Sequence, residues 1–189
     1  MRKEQSEKTR QLLLEVSLDL FVHRGYAGTT VRDIAKKAKV SPGLMFHYFP
    51  SKQAILEEHV RVVAYGIASV VALLDSGKQP LETFRAVATM ILESFKDNYS
   101  KNLFLLANQV LSLESIPSAA KQMVSATKSL KASVPLIVLG QRRREIKKGD
   151  PLALAVAFWG ALQGIAEVLV WNEDASIPEP EVVTSILKA

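Results

Sequence analysis

The sequence predicts an all-α fold of about nine helices, with a small N-terminal domain and a larger helical C-terminal domain. Two observations carry this prediction. Apolar residues recur at helical spacing in one segment after another, and no strand pattern of useful length appears in the chain. At Ser51 the pattern changes from short helical segments to long ones. We therefore predict two domains, residues 1–50 and residues 51–189.

The composition is that of an ordinary soluble globular protein, with 48% hydrophobic and 23% charged residues among 189. Cysteine is absent, which excludes disulfides, thiolate metal sites and cysteine nucleophiles and is compatible with a reducing cytosol. The polar N-terminus shows no secretory signal, so we expect a cytoplasmic location. His23, His47 and His59 have no metal-ligand spacing, and neither a glycine-rich phosphate loop nor a nucleophile elbow is present. An enzyme is therefore disfavoured, and we predict neither a cofactor nor a metal.

The excess of positive charge lies in the first quarter of the chain. Residues 1–52 contain ten Lys and Arg against five Asp and Glu, whereas residues 53–189 contain fourteen of each. This asymmetry points to a polyanionic partner, although charge alone fits a solvated surface equally well. The spacing of two short helices within these residues favours a polyanionic partner over a merely solvated surface.

Two short helices joined by a tight turn are predicted between Thr30 and His47. Thr30 can cap the first helix through its hydroxyl, and Asp33 completes a capping box. Ser41 offers a second N-cap, with Pro42 at the first helical position, where a missing N–H costs nothing. Two such helices separated by three or four residues match the helix-turn-helix motif, whose second helix enters the DNA major groove.

The other helices are predicted from apolar spacing and from the prolines and glycines at their ends. They cover about residues 8–23, 51–74, 80–99, 103–113, 118–147 and 151–171, with a short terminal helix at 181–187. Pro135 lacks an N–H and is expected to kink or split the segment 118–147. The cations between Arg142 and Lys148 complement the macrodipole at the end of that segment; a second nucleic-acid patch is the alternative.

The stretch from Pro151 to Trp171 is apolar or small apart from Gln163 and Glu167. Its length would span a bilayer, but Glu167, the many alanines and the lack of other spans argue against a membrane helix. We expect a helix buried on nearly all sides, with a second subunit as one partner. The small residues that would let a symmetry mate approach are Ala153, Ala157, Gly160, Ala161, Gly164 and Val168. The alternative is that this stripe packs against a helix of the same chain.

The residues around the two short helices match a known signature at many spaced positions. These positions are Phe21, Gly25-Tyr26, residues 29–35, Val40 to Gly43, Phe46 to Phe49 and Ser51-Lys52. Together they resemble the DNA-binding signature of the TetR-type (TetR/AcrR) transcriptional regulators over about a quarter of the chain. The rest is similar only in layout. The resemblance implies a homodimeric repressor whose last two helices form the dimer interface, whose middle helices enclose an inducer pocket, and which leaves a palindromic operator when a small molecule binds.

The resemblance also implies which residues contact double-stranded DNA. They are Thr29, Thr30, Ser41, Pro42, Gly43, Leu44, Phe46, His47, Tyr48 and Lys52. Thr30 and Ser41 would present helix-end N–H groups and hydroxyls to phosphate oxygens. Tyr48 and Lys52 look like phosphate clamps.

Three residues depart from the family pattern. Lys39 stands where a turn glycine is common, so a positive φ there would strain the turn by about 1 kcal/mol. Phe46 replaces the usual tyrosine and lacks its hydroxyl, and Leu44 stands where a small or polar residue is frequent. With Pro42 and Leu44 in the reading helix, we predict apolar contacts to thymine methyl groups and a larger share of shape readout.

A mainly apolar effector pocket with a few amides is predicted among the middle helices. Its candidate residues are Phe84, Phe95, Phe104, Asn108, Gln109, Met123, Trp159 and Gln163, for each of which core packing is the simpler explanation. The predicted function is a ligand-responsive, DNA-binding transcriptional regulator. The alternative is a non-specific or architectural DNA-binding protein without a small-molecule effector.

Overall fold

The computed structural model describes residues 2–76, 79–112, 114, 116, 118–124, 127–172 and 174–189. These residues form ten α-helices, and the only strand-like pairing among them is an isolated antiparallel bridge between Ile146 and Lys188. The helices are α1 (Arg2–Arg24), α2 (Val31–Lys37), α3 (Pro42–Tyr48), α4 (Lys52–Ser76), α5 (Pro80–Ser94), α6 (Asn98–Ser112), α7 (Ser118–Met123), α8 (Thr127–Arg142), α9 (Pro151–Trp171) and α10 (Pro180–Thr184). The predicted all-α fold is confirmed, with one helix more than expected.

The chain forms two compact units that differ from the sequence division. The first contains Met1–Ala64 and Asn102–Val124, and the second contains Tyr65–Lys101 and Ser125–Ala189. Both α4 and α6 therefore contribute residues to each unit. The domain boundary between residues 50 and 51 stays a prediction.

In the first unit, α1 is the helix against which the helix-turn-helix packs. Leu13, Leu18 and Phe21 on α1 are fully buried, as hydrophobic burial of one helix face requires. On its polar side α1 is tied to α4 by an ion pair between Arg10 and Glu58, 2.9 Å apart. The recognition motif is thus built on a long, packed helix.

A buried histidine also joins α1 to α4. The Nε2 atom of His59 lies 3.0 Å from the Oγ of Ser17, and the ring of Phe21 meets the imidazole edge-on at a centroid distance of 6.2 Å. The Ser17 hydroxyl donates to the carbonyl of Leu14 at 2.9 Å, so it acts as the acceptor for His59. Burial lowers the pKa of His59 to about 4.

In the second unit, the core forms between α5, α8 and α9. The rings of Phe84 and Phe158 pack edge-on with centroids 5.0 Å apart, and both side chains are fully buried. The indole Nε1 of Trp159 donates to the Oγ of Ser133 at 3.0 Å. A partly buried polar contact of this kind fixes the rotation of α9 relative to α8.

The boundaries of α5 and α6 differ from the sequence prediction. The structure ends α5 at Ser94 rather than near Tyr99, and starts α6 at Asn98 rather than at Leu103. The cause is a local cap: the carboxylate of Asp97 accepts a hydrogen bond from the backbone N–H of Ser100 at 2.9 Å. The predicted end of this segment, Leu113, lies outside the described residues.

Pro135 lies inside α8 and does not split it. Its side chain is exposed, and so is Lys131, whose carbonyl loses its partner in the helix ladder. Because water can solvate that carbonyl, the helix continues through the proline, with Leu136 and Ile137 buried directly after it. The break in the predicted segment 118–147 falls earlier, between α7 and α8.

Two helices, α4 and α9, are long and apolar enough to cross a membrane by length and composition. Core helices of soluble proteins pass the same test. In each helix only 28% of the most apolar 18-residue window is buried. Both therefore carry apolar surface that the described chain leaves uncovered.

Candidate DNA-binding site

The first helix of the motif begins at a complete capping box. The Oγ1 of Thr30 accepts a hydrogen bond from the backbone N–H of Asp33 at 3.1 Å, and the Asp33 carboxylate accepts one from the N–H of Thr30 at 2.8 Å. Hydrogen bonds from Thr30 lower the pKa of Asp33. Ile34 and Ala35 turn inward toward the core, which leaves the opposite face of α2 at the surface.

The turn and the second helix are also held by hydrogen bonds between residues close in the sequence. Lys39 adopts a positive φ of 55°, and the N–H of Val40 donates back to the carbonyl of Ala35 at 3.0 Å. The Oγ of Ser41 accepts from the N–H of Leu44 at 3.1 Å, which caps α3 directly before the proline. The strain expected at Lys39 from the sequence is therefore present.

The second helix, α3, buries one residue and exposes the rest of its outer face. Met45 is fully buried, and Phe49 after the helix is buried as well. Leu44 is 40% and Phe46 51% exposed, although both are large and apolar. Pro42, Gly43 and His47 are exposed beside them. This is the face predicted to enter the major groove, and its apolar side chains have no partner in the core.

Thr29 is a correction to the predicted DNA contacts. Its side chain is 0% exposed, and its Oγ1 lies 2.9 Å from the carbonyl of Gly25 and 3.2 Å from that of Leu20. A hydroxyl that is buried and engaged in this way cannot reach a phosphate. Thr29 instead fastens the connection between α1 and α2.

Tyr48 and Lys52 both make contacts within the first unit. The hydroxyl of Tyr48 donates to the Oγ of Ser6 at 3.2 Å. The ammonium of Lys52 donates to the carbonyls of Tyr26 at 2.7 Å and Thr29 at 2.8 Å, and lies 4.1 Å from the centroid of the Tyr26 ring. Burial lowers the pKa of Lys52. The geometry gives Lys52 a scaffolding task that the sequence did not predict; its phosphate contact stays a prediction.

We expect Lys52→Met to lower the free energy of unfolding by about 2 kcal/mol, because two charge-assisted hydrogen bonds to main-chain carbonyls are lost. Urea unfolding measures this change. Lys8→Met is the matched control: Lys8 forms only an exposed ion pair with Glu4, so its removal should cost less than about 0.5 kcal/mol. An unchanged stability of Lys52→Met would leave the phosphate as the only role of this lysine.

Arg32 and Lys36, which the sequence prediction did not include, are exposed on the outer face of α2. The signal was available: the two cations are four residues apart, on the side of the helix opposite Ile34, Ala35 and Ala38. Neither forms an ion pair within 4.0 Å in the part of the chain that the structure describes. They add to the positive surface of the motif.

The predicted pocket residues divide between the two units. Phe84, Phe95, Trp159 and Gln163 belong to the second unit, whereas Phe104, Asn108 and Gln109 lie on the part of α6 that belongs to the first. Phe84 and Phe95 are buried, and Gln109 donates to the carbonyl of Val22 at 3.2 Å. The Met123 side chain lies outside what the structure describes. The pocket stays a prediction.

The predicted dimer stripe lies on the outer face of α9. Ala153, Ala157 and Gly160 are exposed, and Ala161, Gly164 and Val168 are half-buried. Leu154, Phe158 and Leu162 on the opposite face are buried. A Cβ atom added at Gly160 or Gly164 would meet nothing within 4 Å, so neither glycine is required by packing within the chain. Within the described residues, no group of three His, Asp or Glu side chains could hold a metal ion.

A capped helix-turn-helix with a positive, exposed outer face has the geometry with which such motifs contact DNA. Residues 13–59 match the family described as bacterial regulatory proteins, tetR family. The match covers α2, α3 and parts of α1 and α4, so the chain is similar to this family in its helix-turn-helix region.

Relatives and solved structures are similar to the chain as well. The chain is 30% identical over 98 residues to the HTH-type transcriptional repressor KstR2 of Mycolicibacterium smegmatis, a match that covers 51% of this chain and 48% of that protein. It spans about half the length of the curated relatives it matches first.

Two structures share its fold. The MbdR regulator from Azoarcus sp. CIB superposes with a TM-score of 0.76 at 20% identity, covering 95% of this chain and 97% of that one. AibR in complex with isovaleryl coenzyme A and operator DNA gives a TM-score of 0.68 at 16% identity, covering 94% of each chain.

Proposed function

We propose that the protein is a homodimeric repressor in the cytoplasm that binds a palindromic operator and leaves it when a small, largely apolar effector binds. The outer face of α9 carries the dimer part of this proposal. The helix has a mean hydropathy of 1.8 in its most apolar window, yet only 28% of that window is buried. A second copy that packs on Ala157, Gly160 and Gly164 would cover this face, and small residues allow close helix approach.

A dimer accounts for how a short reading helix could select a site. Two copies of α3 spaced by one helical turn of DNA, roughly 34–36 Å, or a multiple of it, would enter successive major grooves of a palindrome. With Leu44 and Phe46 exposed on α3, contacts to thymine methyl groups and DNA shape would provide much of the specificity. Purely guanine-directed specificity in an operator scan would contradict this mode of reading.

The effector release follows from the connection between α3 and α4. Only Phe49, Pro50 and Ser51 separate the two helices, so a shift of α4 would move the recognition helix. An effector that binds the off-DNA arrangement more tightly would release the operator by that difference in affinity. Relatives support this proposal by name: KstR2 is a repressor, and AibR was solved with isovaleryl coenzyme A and operator DNA.

The test is selection of binding sites from genomic DNA by the full chain, followed by titration with a panel of small, largely apolar molecules. We expect a palindromic site bound at least about 10³-fold more tightly than random DNA. At least one ligand of this class should lower that affinity. Equal affinity for all DNA with a steep salt dependence would indicate an architectural DNA-binding protein instead. If none of these molecules at saturation changes the operator affinity, the proposed release by an effector is wrong.

A further inference from the structure

A strained lysine occupies the turn of the helix-turn-helix. Lys39 has a φ of 55°, a backbone conformation that glycine adopts without steric cost and that asparagine tolerates. The hydrogen bond from Val40 to the carbonyl of Ala35 holds the turn in this conformation. The lysine side chain is exposed. Packing therefore does not explain why a residue with a long charged side chain stands where glycine fits better.

Lys36 lies on the exposed face of α2, three residues before Lys39 in the turn that follows. Ile34 and Ala35, on the other face of α2, point toward the core. Lys37 differs from both, because its ammonium forms an ion pair with Asp19 on α1. Among the described residues, no carboxylate forms an ion pair with Lys36 or Lys39. The charge of Lys36 helps to lower the pKa of the Asp33 carboxyl, so the turn carries two exposed cations of which neither is held in an ion pair among the described residues.

We infer that Lys39, with Lys36 beside it, binds a backbone phosphate of the DNA that α3 reads. In a helix-turn-helix the first helix crosses the DNA backbone, and the second enters the major groove by its N-terminal residues. The turn joins these two helices, and Lys39 lies only two residues before Ser41, the N-cap of α3. A lysine reaches a phosphate as a point charge on a flexible stem. This inference rests on the DNA-binding role proposed above and names a contact that adds affinity without sequence preference.

A purely structural role makes a different prediction. Cations in the last turn of α2 stabilise the negative end of its macrodipole, and Lys36 and Lys37 already occupy that turn. If Lys39 only reinforced them, its removal would leave the salt dependence of DNA binding unchanged. A phosphate contact releases a counterion, so its loss makes the slope of log affinity against log salt shallower by about 0.9 for each protomer bound.

The experiment measures DNA affinity of the full chain by fluorescence anisotropy between roughly 50 and 200 mM salt. The variants are Lys39→Asn and Lys39→Gly, which adopt positive φ more easily than lysine and so preserve the turn. We expect the affinity to fall about threefold to tenfold at physiological salt, equally on operator and random DNA, with the shallower slope stated above.

Lys37→Asn is the matched control. It also removes one lysine charge, only two residues before Lys39, but Lys37 is already paired with Asp19 within the fold. If both Lys39 variants keep the wild-type slope of log affinity against log salt, the inference is wrong. If Lys37→Asn changes that slope as much as the Lys39 variants do, the lysines act only as diffuse surface charge, and the inference is wrong as well. The operator preference of the wild-type chain is scored separately. A chain without such a preference would refute the proposed regulator, and its random-DNA slope would still test Lys39.

Discussion

Ala157→Arg on α9 is expected to leave the chain folded but to lower its operator affinity by about 10²–10⁴-fold. Ala157 is exposed within the chain, so the arginine meets no packed neighbour there. In a dimer the same position would lie where two copies of α9 approach, and two buried guanidinium groups would face each other without partners. The monomer that results could occupy only one half-site, and the avidity of a linked pair of reading helices would be lost. Sedimentation equilibrium and anisotropy on the selected operator measure the two effects.

Ala86→Arg provides a control with the same residue change. Ala86 is also an exposed helical alanine, on α5 of the same unit. It lies outside the small-residue stripe, so we expect this variant to retain the mass and operator affinity of the wild type. If Ala157→Arg remains dimeric, the stripe is not the interface, and the apolar surface of α9 needs another partner. If both variants dissociate, added positive charge and not a specific face controls assembly.

The helix-turn-helix was predictable because the signals that define it are local. The cap of α2 involves Thr30 and Asp33, three residues apart, and that of α3 involves Ser41 and Leu44, again three apart. A side chain that bonds within one turn can be read from the sequence. The positive φ of Lys39 was expected on a different basis, namely the family resemblance, in which a glycine is common at this position of the turn.

The roles of Thr29 and Lys52 could not be predicted, because their partners are distant in the chain. Lys52 donates to carbonyls 26 and 23 residues before it. No spacing rule connects a lysine to main-chain carbonyls at such separations, and a family pattern shows only that the residue type recurs. Thr29 stands beside a true N-cap, and only the packing of α1 shows that its hydroxyl points inward. Both residues stabilise the reading surface from behind.

The helix divisions after residue 94 failed for a related reason. Apolar spacing runs from α5 into α6 with little interruption, and the break depends on the carboxylate of Asp97 capping the next helix. The sequence contains that aspartate, but a solvent-exposed aspartate in a helix has the same appearance. At Pro135 the sequence predicted a kink or a break, but the helix continues. The position is exposed to water, and the buried Leu136 and Ile137 that follow stabilise the helix.

Acidification from about pH 6.5 to pH 4 is expected to lower the free energy of unfolding by about 3 kcal/mol through His59 alone. In the folded chain, burial lowers the pKa of His59 to about 4, from 6.5. Between these two values the unfolded chain binds a proton at this histidine and the folded chain does not. Stability from this site is therefore fully present above pH 6.5 and is lost as the pH falls toward 4. Because His59 joins α1 to α4 through Ser17, protonation would act on the support of the reading motif.

His59→Leu isolates this contribution. The substitution leaves the Ser17 hydroxyl bonded to the carbonyl of Leu14, so this donor stays satisfied. Urea unfolding of both proteins from pH 7.5 to pH 4.5 gives the difference in their unfolding free energies, in which the carboxylates common to both cancel. That difference should shift in favour of the variant by about 2–3 kcal/mol as the pH falls. A pH-independent difference for His59→Leu would mean that the site opens to water before it binds the proton, and that α1 and α4 separate there more readily than the packing around Phe21 indicates.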